Sequence, residues 1–253
     1  MSAEHGGGGS ASERPAFYAL EPGGWRDYWT LLHVPYTIWH LSYVAMGAAL
    51  VAVIDGSRLL WSLLAFFGAV GLGAHALDEL NGRPLGTRIP GPVLVAIAAV
   101  GLGGAFALGV YGMVVVSPWF AVFIAVGLFL ALAYNLELFG GAFHSDLWFA
   151  VAWGGFPALT GAFAQQGELS FAAVALAIAC VALSAAQRIL STPVRDLRRR
   201  SMGVEGRVVW RDGREEAVDA AWLRRAPEGA LRMLSLAMPF LAAAMLLAAF
   251  ARR

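Results

Sequence analysis

Lysine is missing altogether from this 253-residue chain: all 18 of its cations are arginine. Acids number 17, leaving a formal net charge of +1, which excludes the extensive basic surface that nucleic acid binding requires. Charge of either sign is scarce. It amounts to 14% of residues, where a soluble globular domain carries roughly 25%. With 59% hydrophobic residues and a mean hydropathy of +0.66, the composition is that of an integral membrane protein. Cysteine is nearly absent too. Cys180, within the apolar run Phe171 to Leu183, stands alone, which excludes an intrachain disulfide framework and a cysteine-based metal site. It reads as a small hydrophobe facing lipid or core. No basic segment precedes a short apolar one near Met1, so no cleavable signal peptide is expected.

What the chain does have is a series of long apolar runs. A hydrocarbon core of about 30 Å needs roughly 20 apolar residues per helix. Runs near 30–54, 58–77, 91–116, 118–138, 147–166, 169–190 and 231–250 predict about seven spans, an all-α polytopic bundle over 29–253. Residues 1–28 are polar and Gly-rich and predict a partly disordered cytoplasmic tail, in which Tyr18, Trp25 and Tyr28 can settle at the interface. Alternate gaps of a serpentine chain face one side. Ala74 to Pro90, Tyr134 to Asp146 and Gln187 to Arg232 carry most of the polar chemistry. They also carry most of the arginine, which predicts a cell-membrane protein with its N-terminus in the cytoplasm. The last of these gaps, expected to be a loop over 191–230, has two strand-like runs around Asp212-Gly213. That dipeptide is a type I′ turn signal, so a small cytoplasmic hairpin is expected.

Three constellations stand on that side. In Gly73 to Pro90, His75, Asp78, Glu79 and Gly82 recur at helical i, i+3, i+4, i+7 spacing. Adjacent carboxylates at a helix end can hold a divalent cation, and Arg83 and Arg88 can hold phosphate oxygens. The plainer reading is a polar helix end capped by Asn81-Gly82. In Ser184 to Arg200, Arg188 and Asp196 sit near a bundle mouth, where ionisable groups usually have partners, with Arg195 beside them. Arg198, Arg199 and Arg200 read as positive-inside anchors. In Tyr134 to Asp146, Glu137 can pair with a neighbouring arginine, and His144 and Asp146 read equally as interface caps. The first span is itself polar: His33, Tyr36, Thr37 and His40 share a face that should point into the bundle. His33, His40 and His75 also raise a haem-binding reading, and a small transporter is a further alternative, although no inverted repeat is evident.

The order of these motifs resembles the UbiA superfamily of integral-membrane prenyltransferases. Gly73 to Gly82 looks like the family's first acidic motif and Gln187 to Asp196 stands where the second belongs. Tyr134 to Gly161 and Ser42 to Leu50 are similar to its fourth, fifth and first helices. The resemblance implies a UbiA-like bundle short of the family's full helix count. It implies an isoprenoid diphosphate or related lipidic substrate at a cytoplasm-facing cavity, with membrane lipids around it. Asp78, Glu79 and Asp196 would then be catalytic and hold Mg2+. His33, Tyr36, His40, His75, Asn81, Arg83, Arg88, Tyr134, Arg188 and Arg195 would surround the substrate. A non-catalytic UbiA-like lipid binder or complex subunit is the alternative, and the protein partners of such a subunit are not legible in the sequence.

Overall fold

The computed structural model describes residues 14–251. Its helices are α1 (Trp25–Leu31), α2 (Val34–Ala48), α3 (Gly56–Phe66), α4 (His75–Leu80), α5 (Gly91–Val115), α6 (Phe120–Asn135), α7 (Asp146–Ala150), α8 (Phe156–Gln166), α9 (Phe171–Arg199) and α10 (Ala220–Phe250). π-helical turns, Phe67–Ala74 and Val151–Gly155, join α3 to α4 and α7 to α8 into single rods. Five helical rods are long and apolar enough to cross a membrane: Gly56–Leu80, Gly91–Val115, Asp146–Gln166, Phe171–Arg199 and Ala220–Phe250. α6 is apolar but shorter, at 16 residues. α5 shows why water is the wrong solvent for this surface. It is apolar all round, and Val95, Val100, Phe106 and Val114 lie exposed along it.

The helix starts follow from capping chemistry. The Asp55 carboxylate accepts the N–H groups of Ser57 and Arg58. Ser145, Ser170 and Asp219 accept those of Trp148, Ala173 and Trp222. Each cap satisfies a donor that has no partner within the helix. Between the helices, small residues let backbones touch. A Cβ on Gly47 would overlap the Ala158 carbonyl, and one on Gly161 the Val44 carbonyl, so α2 and α8 cross at backbone contact. Around that crossing, Trp39, Tyr43, Met46, Ala158, Cys180 and Met238 belong to one buried cluster. Cys180 is fully buried in it, a core residue rather than a lipid-facing one.

Three boundaries depart from the sequence reading. The first apolar run is broken at His33, which takes a left-handed conformation (φ 46°, ψ 45°) between α1 and α2. Pro35 follows in the first turn of α2, where its missing N–H costs nothing. α9 does not stop at residue 190 but carries Pro193 inside it and continues to Arg199, so Arg195 and Asp196 are helical. α10 begins at Ala220, eleven residues before the expected span (231 − 220), and holds Pro227 and Pro239. The hairpin is present: β1 (Gly206–Val209) pairs antiparallel with β2 (Glu215–Val218). Its turn is not type I′, which needs positive φ at both central residues. Of Asp212 and Gly213 only Gly213 has it, at φ 81°. The Gly213 N–H bonds Trp210 O, and Trp210 N–H bonds Arg214 O, which closes a three-residue loop instead.

Candidate functional site

A cavity of about 370 Å³ opens at the end of the bundle where α4, α6 and α9 terminate and α2 begins. α9 supplies one wall. Gln187, Arg188, Ser191, Val194, Arg195 and Arg199 all line it. Arg195 and Arg199 follow Arg188 by seven and eleven residues, which places each within about 20° of Arg188, and the two about 40° apart, on a 3.6-residue helix. The facing wall comes from α2, with His33, Tyr36 and His40, and from α4, with His75 and Asp78. Tyr134, Asn135, His144 and Trp153 close the third side.

The charges are unevenly partnered. Arg188 Nε bonds Asp146 Oδ1 at 2.7 Å and its guanidinium lies over the Phe149 ring at 5.1 Å. Arg200 pairs with Asp196 at 3.3 Å. The hydrogen bonds of Arg195 and Arg199 run to neutral oxygens, the Thr192 hydroxyl at 3.2 Å and the Pro15 carbonyl at 3.2 Å. Their positive charge therefore acts on the cavity, where Asp78 is the inward carboxylate and Glu137 stands at the rim with Asn81. His40 Nδ1 contacts the Trp153 carbonyl at 2.7 Å within the lining, and behind it, in the core, Tyr43 Oη accepts from Trp39 Nε1 and Ser184 Oγ. Gln187 is 2% exposed, and its Oε1 is buried without a hydrogen-bond partner, as is His33 Nε2. Such atoms call for a ligand or a water.

Residues 14–18 cross the mouth as a strap. Arg198 Nη1 and Arg199 Nε donate to the carbonyls of Arg14 and Pro15. Phe17 and Tyr18 pack edge-on to Tyr36, and Arg232 covers Phe17. Burial raises the Tyr18 phenol well above its ordinary range, so it remains a neutral donor at the cavity. The sequence reading placed Tyr18 at the membrane interface and treated Arg199 as an anchor. Both line the cavity. The signal for Arg199 was its i+4 spacing from Arg195, masked by ending the sixth span near residue 190, where α9 continues to Arg199.

The expected site residues thus separate into two groups. His33, Tyr36, His40, His75, Asp78, Asn81, Tyr134, Arg188 and Arg195 converge on the cavity. Glu79, Arg83, Arg88 and Asp196 do not. Glu79 is fully buried and accepts Leu85 N, Thr87 N and Thr87 Oγ1 at 2.8–3.0 Å, a brace for the loop after α4. Arg83 is spent on the Ile89 and Thr87 carbonyls of the same loop. Arg88 is exposed, its backbone N–H held by Asp27. Asp196 does not line the cavity; it is half exposed and paired with Arg200, itself a residue of the cavity lining. Among the described residues no group of three His, Cys, Asp or Glu side chains can hold a metal ion. The Asp78–Glu79–Asp196 set therefore does not fit Mg2+, since its members face different ways. The haem reading meets a similar obstacle. His33 and His75 stack face to face, 4.2 Å between centroids and 19° between planes, where axial ligands would stand on opposite sides of the macrocycle.

No family model, no curated protein and no solved structure matches the chain. Its function has to be argued from the cavity.

Proposed function

We propose that the protein is a UbiA-like membrane prenyltransferase that takes an isoprenoid diphosphate or a closely related lipid phosphate into this cavity. The observation that supports it is the stripe of Arg188, Arg195 and Arg199 aimed into a chamber at one end of an apolar bundle. Two guanidiniums whose side-chain bonds among the described residues run to neutral oxygens favour a phosphoanion, with which arginine forms charge-assisted, bidentate bonds. Arg195 and Arg199 hold the diphosphate directly. As the allylic carbon–oxygen bond breaks, its electron pair leaves with the diphosphate and the arginines stabilise the developing charge. Tyr36, Tyr134 and Trp153 present ring faces to the allylic cation. The acceptor's nucleophilic atom bonds that carbon and gives up its proton, for which Asp78 is the cavity's carboxylate.

A non-catalytic reading, binding of the same lipid without transfer, draws support from the scattered acids. One experiment separates the two. Protein reconstituted in nanodiscs is given labelled farnesyl diphosphate, with Mg2+ or with EDTA, and binding and product are both measured. Binding is expected to survive EDTA. Arg195→Gln is expected to weaken it at least about tenfold, because a charge-assisted hydrogen bond contributes about 1.5–3 kcal/mol. Binding without product for any acceptor selects the non-catalytic reading. No binding at any prenyl length sinks both.

A further inference from the structure

The strap carries a group that the arginine stripe does not account for. Tyr18 lines the cavity, and among the described residues its hydroxyl makes no hydrogen bond. Its ring is seated from two sides, 5.3 Å from His33 and 5.4 Å, edge-on, from Tyr36. His33 in turn stacks on His75, one turn ahead of Asp78 on α4. The phenol is close enough to feel the charges of the cavity. Burial and Tyr36 raise its pKa, Arg199 and Arg195 act to lower it, and Asp78 acts to raise it.

The strap also shares Arg199 with the cavity. Nε of that guanidinium donates to the Pro15 carbonyl, while the two Nη atoms carry further N–H donors that a ligand can take. Arg198 is fixed by Glu228 at 2.6 Å, across α9 and α10, and donates to the Arg14 carbonyl. Side chains of the bundle therefore hold the strap down. Its own backbone contributes little: among the described residues one backbone bond, from Ala19 N–H to the Ala16 carbonyl, touches residues 14–18. Beyond it the chain is tethered where Leu20 N–H bonds Thr30 Oγ1 at 3.0 Å, and it bends again at Gly23 and Gly24, with φ of 129° and 60°. A segment with so few backbone bonds opens at low cost.

We infer that residues 14–18 form a lid over the bound anion, and that Tyr18 donates its hydroxyl to that anion alongside Arg195 and Arg199. The inference rests on the anionic head of the proposed function and names what completes its binding and shuts it in. A phenol suits the position. It supplies a strong donor to a charged acceptor without placing another positive charge beside the guanidiniums. Closure also keeps water from the arginines and strengthens their attraction for the anion. Because Arg199 grips strap and ligand through different nitrogens, the two do not compete. The Tyr18 bond exists only with the strap down, so binding draws the strap onto the cavity.

The test uses the full-length protein in nanodiscs, with inorganic pyrophosphate as the probe and wild type compared with Tyr18→Phe. The variant keeps the ring and its seat, so its melting without ligand is expected to be unchanged. Its pyrophosphate affinity is expected to fall at least about tenfold, the effect of losing one hydrogen bond to a charged group. In the wild type, pyrophosphate is expected to slow hydrogen exchange at the amides of Ala16 to Leu20. A folded Tyr18→Phe that binds pyrophosphate within about twofold of the wild type shows that the phenol does not touch the anion, and overturns the inference. Exchange that is unchanged or faster on binding shows a strap that the ligand ignores or displaces. That result overturns the inference too, even if the variant fails to fold. Wild-type protein that binds no pyrophosphate overturns the anion site of the proposed function, a result distinct from either.

Discussion

Replacing Glu79 with alanine removes a carboxylate that holds the loop between α4 and α5 from beneath. Its two oxygens accept three hydrogen bonds, from Leu85 N, Thr87 N and Thr87 Oγ1, in a fully buried position. A hydrogen bond to a charged group contributes about 1.5–3 kcal/mol, and a donor left unsatisfied carries its own desolvation penalty. Three such bonds, less what water recovers at the freed donors, put the loss at about 3–5 kcal/mol. At roughly 2–4 °C per kcal/mol for a chain of this length, Glu79→Ala should melt about 10 °C below the wild type. Glu79→Gln can keep the pair of bonds to Thr87 and turn its amide toward Leu85, so it should fall between the two. Pyrophosphate affinity of whatever remains folded at low temperature should be unchanged. Melting in detergent and equilibrium binding at 10 °C measure the two quantities separately. Glu79→Ala that melts within about 2 °C of the wild type and loses pyrophosphate binding would refute this reasoning, and would return Glu79 to the metal-ligand role its position in the first acidic motif suggested.

Other expectations follow from the same contacts. Gly161→Leu should abolish folding, because its Cβ alone overlaps the Val44 carbonyl and neither backbone can retreat; expression and monodispersity report it. Ser170→Ala should cost about 1 kcal/mol through loss of the α9 cap, seen as a melting shift of a few degrees. Asp55 is held below its ordinary value of 3.8, first by the Ser57 hydroxyl and then by the Arg58 N–H. Its cap on α3 is therefore present above that value and lost as pH falls through the lowered one. Acid melting of the wild type should show this step and Asp55→Asn should not. Asp146→Asn frees Arg188 from its 2.7 Å partner and should alter pyrophosphate affinity with little change in melting, since the carboxylate is largely exposed.

The helical membrane character was legible because bilayer thickness dictates helix length, but about seven spans were expected and, among the described residues, five rods have that length: α6 is 16 residues long and His33 breaks the first run. The hairpin was legible from Asp212-Gly213, although only Gly213 needed the conformation that marks a turn. The cavity was half legible. Asp78 and Glu79 looked like a pair, but consecutive residues on an α-helix point about 100° apart, so only one of them can face a given chamber. His75 and Asp78 took the inner side, and Glu79 fell to the loop. Arg199 was hidden because the apolar run ends near residue 190 while α9 continues to Arg199 through Pro193, a residue tolerated in membrane helices where neighbours support the freed carbonyl. The strap was not legible at all. Its main-chain oxygens are bonded across 184 residues of sequence and its rings pack on Tyr36, and nothing local in Arg14 to Tyr18 encodes these contacts.

That last feature bears on how the chain tolerates change. The oxygens that Arg198 and Arg199 grip at the cavity mouth belong to the peptide bonds of Arg14 and Pro15, which every amino acid possesses. Beyond one bond from the Arg14 side chain to the Ala19 carbonyl, 3.4 Å away, substitutions at these two positions act on the closure mainly through the path of the backbone. Shortening or lengthening the segment by one residue would instead carry Phe17 and Tyr18 out of register with Tyr36. At these two positions spacing is constrained and identity is nearly free, so a scan of insertions there should be far less forgiving than a scan of replacements.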